Sequence, residues 1–288
     1  MRKKIFASLL LLLVLAVSSY FGELRIAQNK QWIRESERQA RRESAENEAA
    51  SLAAQRAFLA EEERKNRIDS LLSGEARQAY QELFLALKQY DYAAAANLLE
   101  REKAVFSAFF DSVLAQGSYL YNGEVLTDET EGLGLLVNAS NTAYFGEWSN
   151  GQPNGNGLAL RSIVLRSPRY DLARGTWEQG KLNGEGLTGY CYYEGVTEPN
   201  TKEIWKQGNF SADLMNGEIV YRSVNASGEE REWHLNVSEG KTVLDERWVF
   251  SEEAAQYRLA ADNDALHDYV LDAAMLDTVL WKNMVEWK

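Results

Sequence analysis

Side chains suited to acid–base, nucleophilic or metal chemistry are few in this chain of 288 residues, and their spacing is poor. The histidines are His234 and His267, and the one cysteine is Cys191. A thiol nucleophile needs a base within hydrogen-bond reach, and these three residues make such a set only on paper. Asp262, Asp264 and Asp268 approach a calcium-loop spacing, but the loop lacks the Gly at its sixth position and the acid at its twelfth. Solvated helix termini are the better reading. Glu129 and Glu131 flank a turn where two carboxylates could share acid–base work, although turn acids are ordinarily just solvated. Asn138-Ala-Ser, Asn225-Ala-Ser and Asn236-Val-Ser are glycosylation sequons only in a host that glycosylates. The glycines fall within hairpins rather than between a strand and a helix, so they form no phosphate cradle. No cofactor or metal is expected, and the chain reads as a non-enzyme.

The elements that would position any site announce themselves by repetition. A frame with residues at 0, +2, +4, +7, +11 and +13 is full at Tyr144, Gly146, Trp148, Gly151, Gly155 and Gly157. It returns at Ala173, Gly175, Trp177, Gly180, Gly184 and Gly186. Looser copies run through Tyr121, Gly123, Val125, Asp128, Gly132 and Gly134, and through Lys206, Gly208, Phe210, Asp213, Gly217 and Ile219. A decayed copy starts at Trp233, with Leu235, Val237 and Gly240. Positions 0, +2 and +4 share one face of a strand. Glycine at +2 weakens a strand unless something approaches closely, and an aromatic ring from the next hairpin would fit over it. Position +7 falls in the connection, where Gly supplies positive φ and Asp is tolerated. Each unit is a β-hairpin too small to stand alone, so neighbours must stack.

This frame resembles the MORN (membrane occupation and recognition nexus) repeat family, over roughly residues 119–246. The resemblance implies an elongated, twisted antiparallel sheet of stacked hairpins. It also implies scaffolding, protein binding or lipid association, and not in itself catalysis. The expected binding surface is the repeat frame. Tyr144, Trp148, Trp177, Phe210 and Trp205 read first as sheet core, and alternatively as an aromatic groove for a peptide or glycan.

The net charge is −12 and is uneven: residues 117–288 hold 14 Lys and Arg against 27 Asp and Glu, giving −13, and the remainder is +1. An acidic repeat region argues against nucleic acid and anionic lipid as its ligand.

Before the repeats, Arg2, Lys3 and Lys4 precede an uncharged run from Ile5 through Phe21 to Gly22. As a helix that run spans roughly 27 Å, close to a bilayer's hydrocarbon thickness. The basic flank predicts a single-pass anchor (1–22) with a cytoplasmic N-terminus and the rest exported. Cleavage near Ala16-x-Ser18, giving a secreted protein, is the alternative. Residues 23–74 read as a charged helical stalk, either solvated or a homo-oligomeric coiled coil. Residues 75–117 carry a helical apolar face with Asp91 as an N-cap. They resemble one tetratricopeptide-type helical hairpin, expected to cap the first β-hairpin. Residues 118–246 are the repeat sheet. Residues 247–288 are expected to be a mostly helical cap, with Trp248-Val249-Phe250 as a last strand and a helix from Ser251. The fold class is thus α+β. The short basic flank, scarce Cys and compact signal look bacterial. The expected role is a membrane-anchored module presenting a sheet to a protein partner.

Overall fold

The computed structural model describes residues 2–129, 131–164, 166–197, 201–243, 248–251 and 256–259. The chain falls into two compact units, residues 1–64 and 65–288. Helix α1 runs unbroken over Arg2–Asp69. It is rich in Ala, Glu, Arg and Gln and free of proline, the composition that favours a helix. Side-chain pairs one turn apart, such as Gln31–Glu35 at 3.0 Å and Arg64–Glu61 at 2.6 Å, run along its solvated surface.

Three short helices come next: α2 (Gly74–Lys88), α3 (Tyr92–Arg101) and α4 (Lys103–Ser112), then a 3₁₀ turn at Leu114–Gln116. Asp91 is the N-cap of α3, its carboxylate accepting from the Ala94 amide at 3.0 Å. The last turn of α1 is tied to α2 and to the start of the sheet. Asp69 Oδ1 accepts from Arg77 Nη2 at 2.8 Å and from the Leu126 amide at 2.9 Å. Arg77 also donates to the Leu72 carbonyl at 2.7 Å.

The strands are β1 (Leu120–Tyr121), β2 (Leu126–Thr127), β3 (Gly132–Val137), β4 (Thr142–Ser149), β5 (Gln152–Val164) and β6 (Pro168–Glu178). They continue as β7 (Lys181–Tyr192), β8 (Thr201–Ser211), β9 (Leu214–Asn225), β10 (Glu230–Ser238) and β11 (Lys241–Thr242). All eleven form one open antiparallel sheet in the order β11-β10-β9-β8-β7-β6-β5-β4-β3-β1-β2. From β3 onward every neighbour in space is a neighbour in sequence, as stacked hairpins require.

The two faces of the sheet carry separate cores. Leu135, Val137, Leu158, Leu160 and Leu172 pack with Tyr80, Leu83, Phe84, Leu87 and Leu99 from the helices. Tyr144, Trp148, Ala159, Ala173, Trp177, Phe210 and Met215 cluster on the other side. Alternation along each strand makes this split: Tyr144 and Phe145, or Leu158 and Ala159, point to opposite faces.

Two expectations are corrected. The segment 75–117 is three helices and a turn rather than one hairpin, although it does pack on the first β-hairpin, through Tyr80 and Phe84 against Tyr121. It covers a sheet face, with α3 packed on β5 and β6 and Phe84 edge-on to Phe145 at 5.1 Å. The apolar residues on α2–α4 are too many for one contact line, and a broad face buries them better. The helix expected from Ser251 gives way to strand: β12 (Trp248–Ser251) pairs with β13 (Gln256–Leu259) in a separate two-stranded sheet. Tyr257 and Leu259, apolar and alternating with Arg258, suit a strand as well as a helix. The rest of the expected cap, 260–288, lies outside the described residues, as do Asp262, Asp264, His267 and Asp268.

Candidate functional site

Frame glycines from the first four units, with Gly134 from the first and Gly208 from the fourth, meet in one line across the sheet. Gly134 pairs with Gly146, Gly146 with Gly157, and Gly157 with Gly175. Gly175 then pairs with Gly186, and Gly186 with Gly208. The row thus crosses six strands, β3 to β8, without a side chain. A Cβ at Gly146 would lie 2.7 Å from the Asn156 carbonyl oxygen, and one at Gly175 would lie 2.6 Å from that of Glu185. Neighbouring backbone therefore approaches where +2 glycines stand.

The aromatic rings lie against the +13 glycines instead. The Trp148 indole donates to the Gly134 carbonyl at 3.1 Å, and the Trp177 indole to that of Gly157 at 3.0 Å. Phe210 fills the same place against Gly186, where a Cβ would meet its ring at 3.2 Å. Each +4 ring thus reaches back to the previous hairpin. Tyr144 stands between Trp148 and Trp177, edge-to-face with both, at 5.0 and 5.2 Å. Where the +13 glycine is lost, at Ile219, the facing residue is Leu235, and an aliphatic Val237, opposite Gly217, stands where the next +4 ring would.

The turns lock the hairpins a second time. The pairs Asn150 and Gly151, Gln179 and Gly180, and Ala212 and Asp213 all have positive φ at both positions, between 50° and 80°. These are two-residue turns of the primed type, whose twist matches the strands. The +7 amide then bonds back to the preceding unit: Gly180 to the Pro153 carbonyl, Asp213 to Leu182 and Gly240 to Met215, each at 2.9 Å. Position +11, Gly155, Gly184 and Gly217, has φ of 95°, 86° and 85° beside an irregularity in strand pairing.

The first unit departs from the frame. Tyr121 pairs with Leu135, one residue short of the register that Tyr144 keeps with Ala159. A one-residue slip turns the side chain to the other face. Tyr121 accordingly packs on Tyr80 and Phe84, at 5.8 and 5.7 Å, and Leu120 joins Tyr144 and Trp148. Gly123 (φ 103°) admits the Phe84 ring, and Val125 lies outside any strand.

The aromatic frame is interior. Tyr144, Trp148, Trp177 and Phe210 are all buried, as is Trp205, which sits in the helix-side core. With this periodic geometry established, the family comparison is direct: residues 144–159 and 174–190 match the pattern described as the MORN repeat. Residues 144–190 carry MORN repeats. No curated protein matches the chain. The MORN match coincides with the two units whose +4 residue is tryptophan and whose glycines are complete.

The other candidates take plain structural roles. Asn138 and Asn225 are buried, and each side-chain oxygen accepts two backbone amides: Ser140 and Thr142 for Asn138, Ser227 and Glu229 for Asn225. These apparent sequons are the turn-closing asparagines of β3–β4 and β9–β10. Glu129 pairs with Lys65 at 2.8 Å, and Glu131 is exposed. Burial, and next the nearby Glu203, push the Cys191 thiol up to about 11, so it is held protonated and is a poor nucleophile. Exposed His234 lies between Glu218 at 3.0 Å and Glu232 at 3.2 Å, which raise its pKa.

Spacing along the chain does not reveal a buried ionic group on β5 and β6. Asp171 is buried with Arg161 at 3.0 Å and Arg169 at 3.1 Å. Burial raises the carboxyl pKa, and the two guanidiniums oppose the rise. The Arg169 guanidinium lies 4.6 Å from the ring centroid of Tyr190 and 5.6 Å from that of Tyr192. Those two tyrosines, with Arg166, Ser167, Gly195 and Thr197, line an open cleft of about 510 Å³ at the loop end of the sheet. Two bonds tie its loops together: Ser167 Oγ donates to the Gly195 carbonyl at 3.1 Å, and the Tyr193 amide to that of Pro168 at 3.2 Å. Only the cross-strand register brings Arg161 beside Asp171, and no local pattern announces it.

Proposed function

We propose that this protein is a membrane-tethered, non-catalytic binding module whose MORN-repeat sheet holds a protein partner outside the membrane. The observation that carries this reading is the cleft lined by Arg166, Ser167, Tyr190, Tyr192, Gly195 and Thr197, mounted on hairpins locked to one another by rings and turns. A concave surface on a hydrogen-bonded sheet binds with less ordering cost than a free loop. The tether is supported by the apolar start of α1, whose most apolar window has a mean hydropathy of 1.8 and no buried residue. In this reading residues 5–21 span the bilayer once, with the N-terminus cytoplasmic, and α1 beyond them is the stalk. Pairing of stalks would make a homo-oligomer. Release by cleavage of the segment is the alternative for localisation. The acidic repeat region disfavours nucleic acid and anionic lipid as ligands of the sheet.

The test uses the full chain in its native membrane. Protease protection is expected to leave residues 65–288 accessible only from the outer side, and chemical cross-linking is expected to join them to a discrete protein. Cross-links no richer than those of an unrelated single-pass helix would defeat the proposal, and so would an outer-side segment that stays protected.

A further inference from the structure

We propose that the cleft receives a carboxylate of the protein partner, with Arg166 as its first contact and the Arg161–Asp171–Arg169 group as a positive backing. This rests on the reading of the sheet as a protein-binding module and gives the partner a chemistry.

One carboxylate, Asp171, faces two guanidiniums, which leaves a surplus positive charge in a group whose arginine side chains are only 23% and 15% exposed. A desolvated surplus charge is screened less than a surface one, so its field reaches the cleft wall. Arg169 lies 4.6 Å from the Tyr190 ring centroid and donates to the Tyr192 hydroxyl at 3.4 Å, so both rings that line the cleft sit against a cation, which polarises them toward an anion. Arg166 is exposed on the cleft wall, and no acid is among the lining residues described. Residues 117–288 carry −13 in all, so a locally positive recess focuses an incoming carboxylate on this spot, and the acidic surroundings turn polyanions away. The guanidinium fork matches a carboxylate in shape as well as charge. An Asp or Glu side chain and a free chain end share this chemistry.

The test is a fluorescent full-length protein in detergent micelles, exposed to arrays of random hexapeptides ending in a free carboxylate or an amide, each with or without Asp and Glu. Retained peptides are expected to carry a carboxylate. Binding that survives the amide assigns a side chain, and binding lost with it assigns the chain end. Arg166→Glu should weaken retention roughly fivefold or more, while Arg166→Lys keeps most of it. Arg166 is exposed, and an unchanged melting curve for both variants confirms folding. The proposal is overturned if peptides without any carboxylate bind equally, if Arg166→Glu binds as the parent does, or if no peptide binds. It is also overturned if a neutral glycan array is retained instead. A partner cross-linked in membranes that survives Arg166→Glu removes this inference and leaves the binding-module reading standing.

Discussion

The indole N–H of Trp177 donates to the Gly157 carbonyl at 3.0 Å across the boundary between two hairpins. It adds a side-chain bond to the strand pairing and turn bonds that join one repeat to the next, and Trp148 makes the same one to Gly134. Trp177→Phe keeps an aromatic ring but loses the donor and part of the buried indole volume, so it should cost about 2–3 kcal/mol. Trp177→Ala also empties a buried site and should cost about 3–5 kcal/mol. Urea unfolding of the full chain, followed by circular dichroism, measures both. Equal losses would mean that the ring kept in the Phe variant contributes nothing.

Gly157 is a test of close approach. A Cβ there would fall 2.5 Å from Tyr144 Cζ, and the ring is confined between Trp148 and Trp177. Gly157→Ala should cost about 2–3 kcal/mol by overpacking. In a Tyr144→Ala background the added cost should shrink by about 1 kcal/mol or more, a coupling readable from a double-mutant cycle. Gly184 has open space, with Thr176 at 3.7 Å, but φ of 86°. Its Ala variant should cost about 1–2 kcal/mol from backbone strain alone, unaltered by Thr176→Ser. Additive costs at Gly157 and Tyr144 would contradict the packing argument.

Asp213 takes the turn position that Gly151 and Gly180 hold, at φ 74°, and its side chain accepts from the Leu182 amide at 2.7 Å. Asp213→Gly relieves the backbone and loses the bond. Asp213→Ala loses the bond and keeps the strain. The Ala variant should therefore be less stable than the Gly variant by about 1 kcal/mol, measured by thermal unfolding. The reverse order would show that the left-handed geometry is not what selects the residue.

The Cys191 thiol is buried, and its pKa is raised from 9.0 to about 11. A thiol whose native pKa is raised adds stability below its unfolded value, because the unfolded chain loses the proton first. That stability should fall as pH climbs from 9 towards 11. Iodoacetamide at pH 8 should label Cys191 only in denaturant, and Cys191→Ser should flatten the alkaline decline. Rapid labelling of the native chain would refute this placement.

Much of the sheet was legible because its constraint is local: a turn wants Gly or Asp, a crossing of backbones wants Gly, and both recur in step with the rings. Asp91 was readable for the same reason, since a cap acts over three residues. The slip of Tyr121 was not readable. It goes with contacts remote in sequence: Tyr121 packs on Tyr80 and Phe84, and its partner Leu126 bonds to Asp69, 57 residues away. Nor was the covering of a face by α2–α4, because an apolar helical stripe states that it is buried and not against what. The Arg161–Asp171–Arg169 group and the cleft stayed hidden because strand register, unseen in the sequence, assembles them.

A side-chain-free row from Gly134 to Gly208 lets successive hairpins merge into one cooperative sheet, and every other feature of the repeats depends on it. Native-state hydrogen exchange on the full chain measures that cooperativity. Paired amides of β4 through β9 are expected to exchange together, at the rate of global unfolding, and to be released together by Gly157→Ala. Amides of β6 and β7 that exchange independently of β4 and β5, with the variant affecting only its own hairpin, would contradict the account.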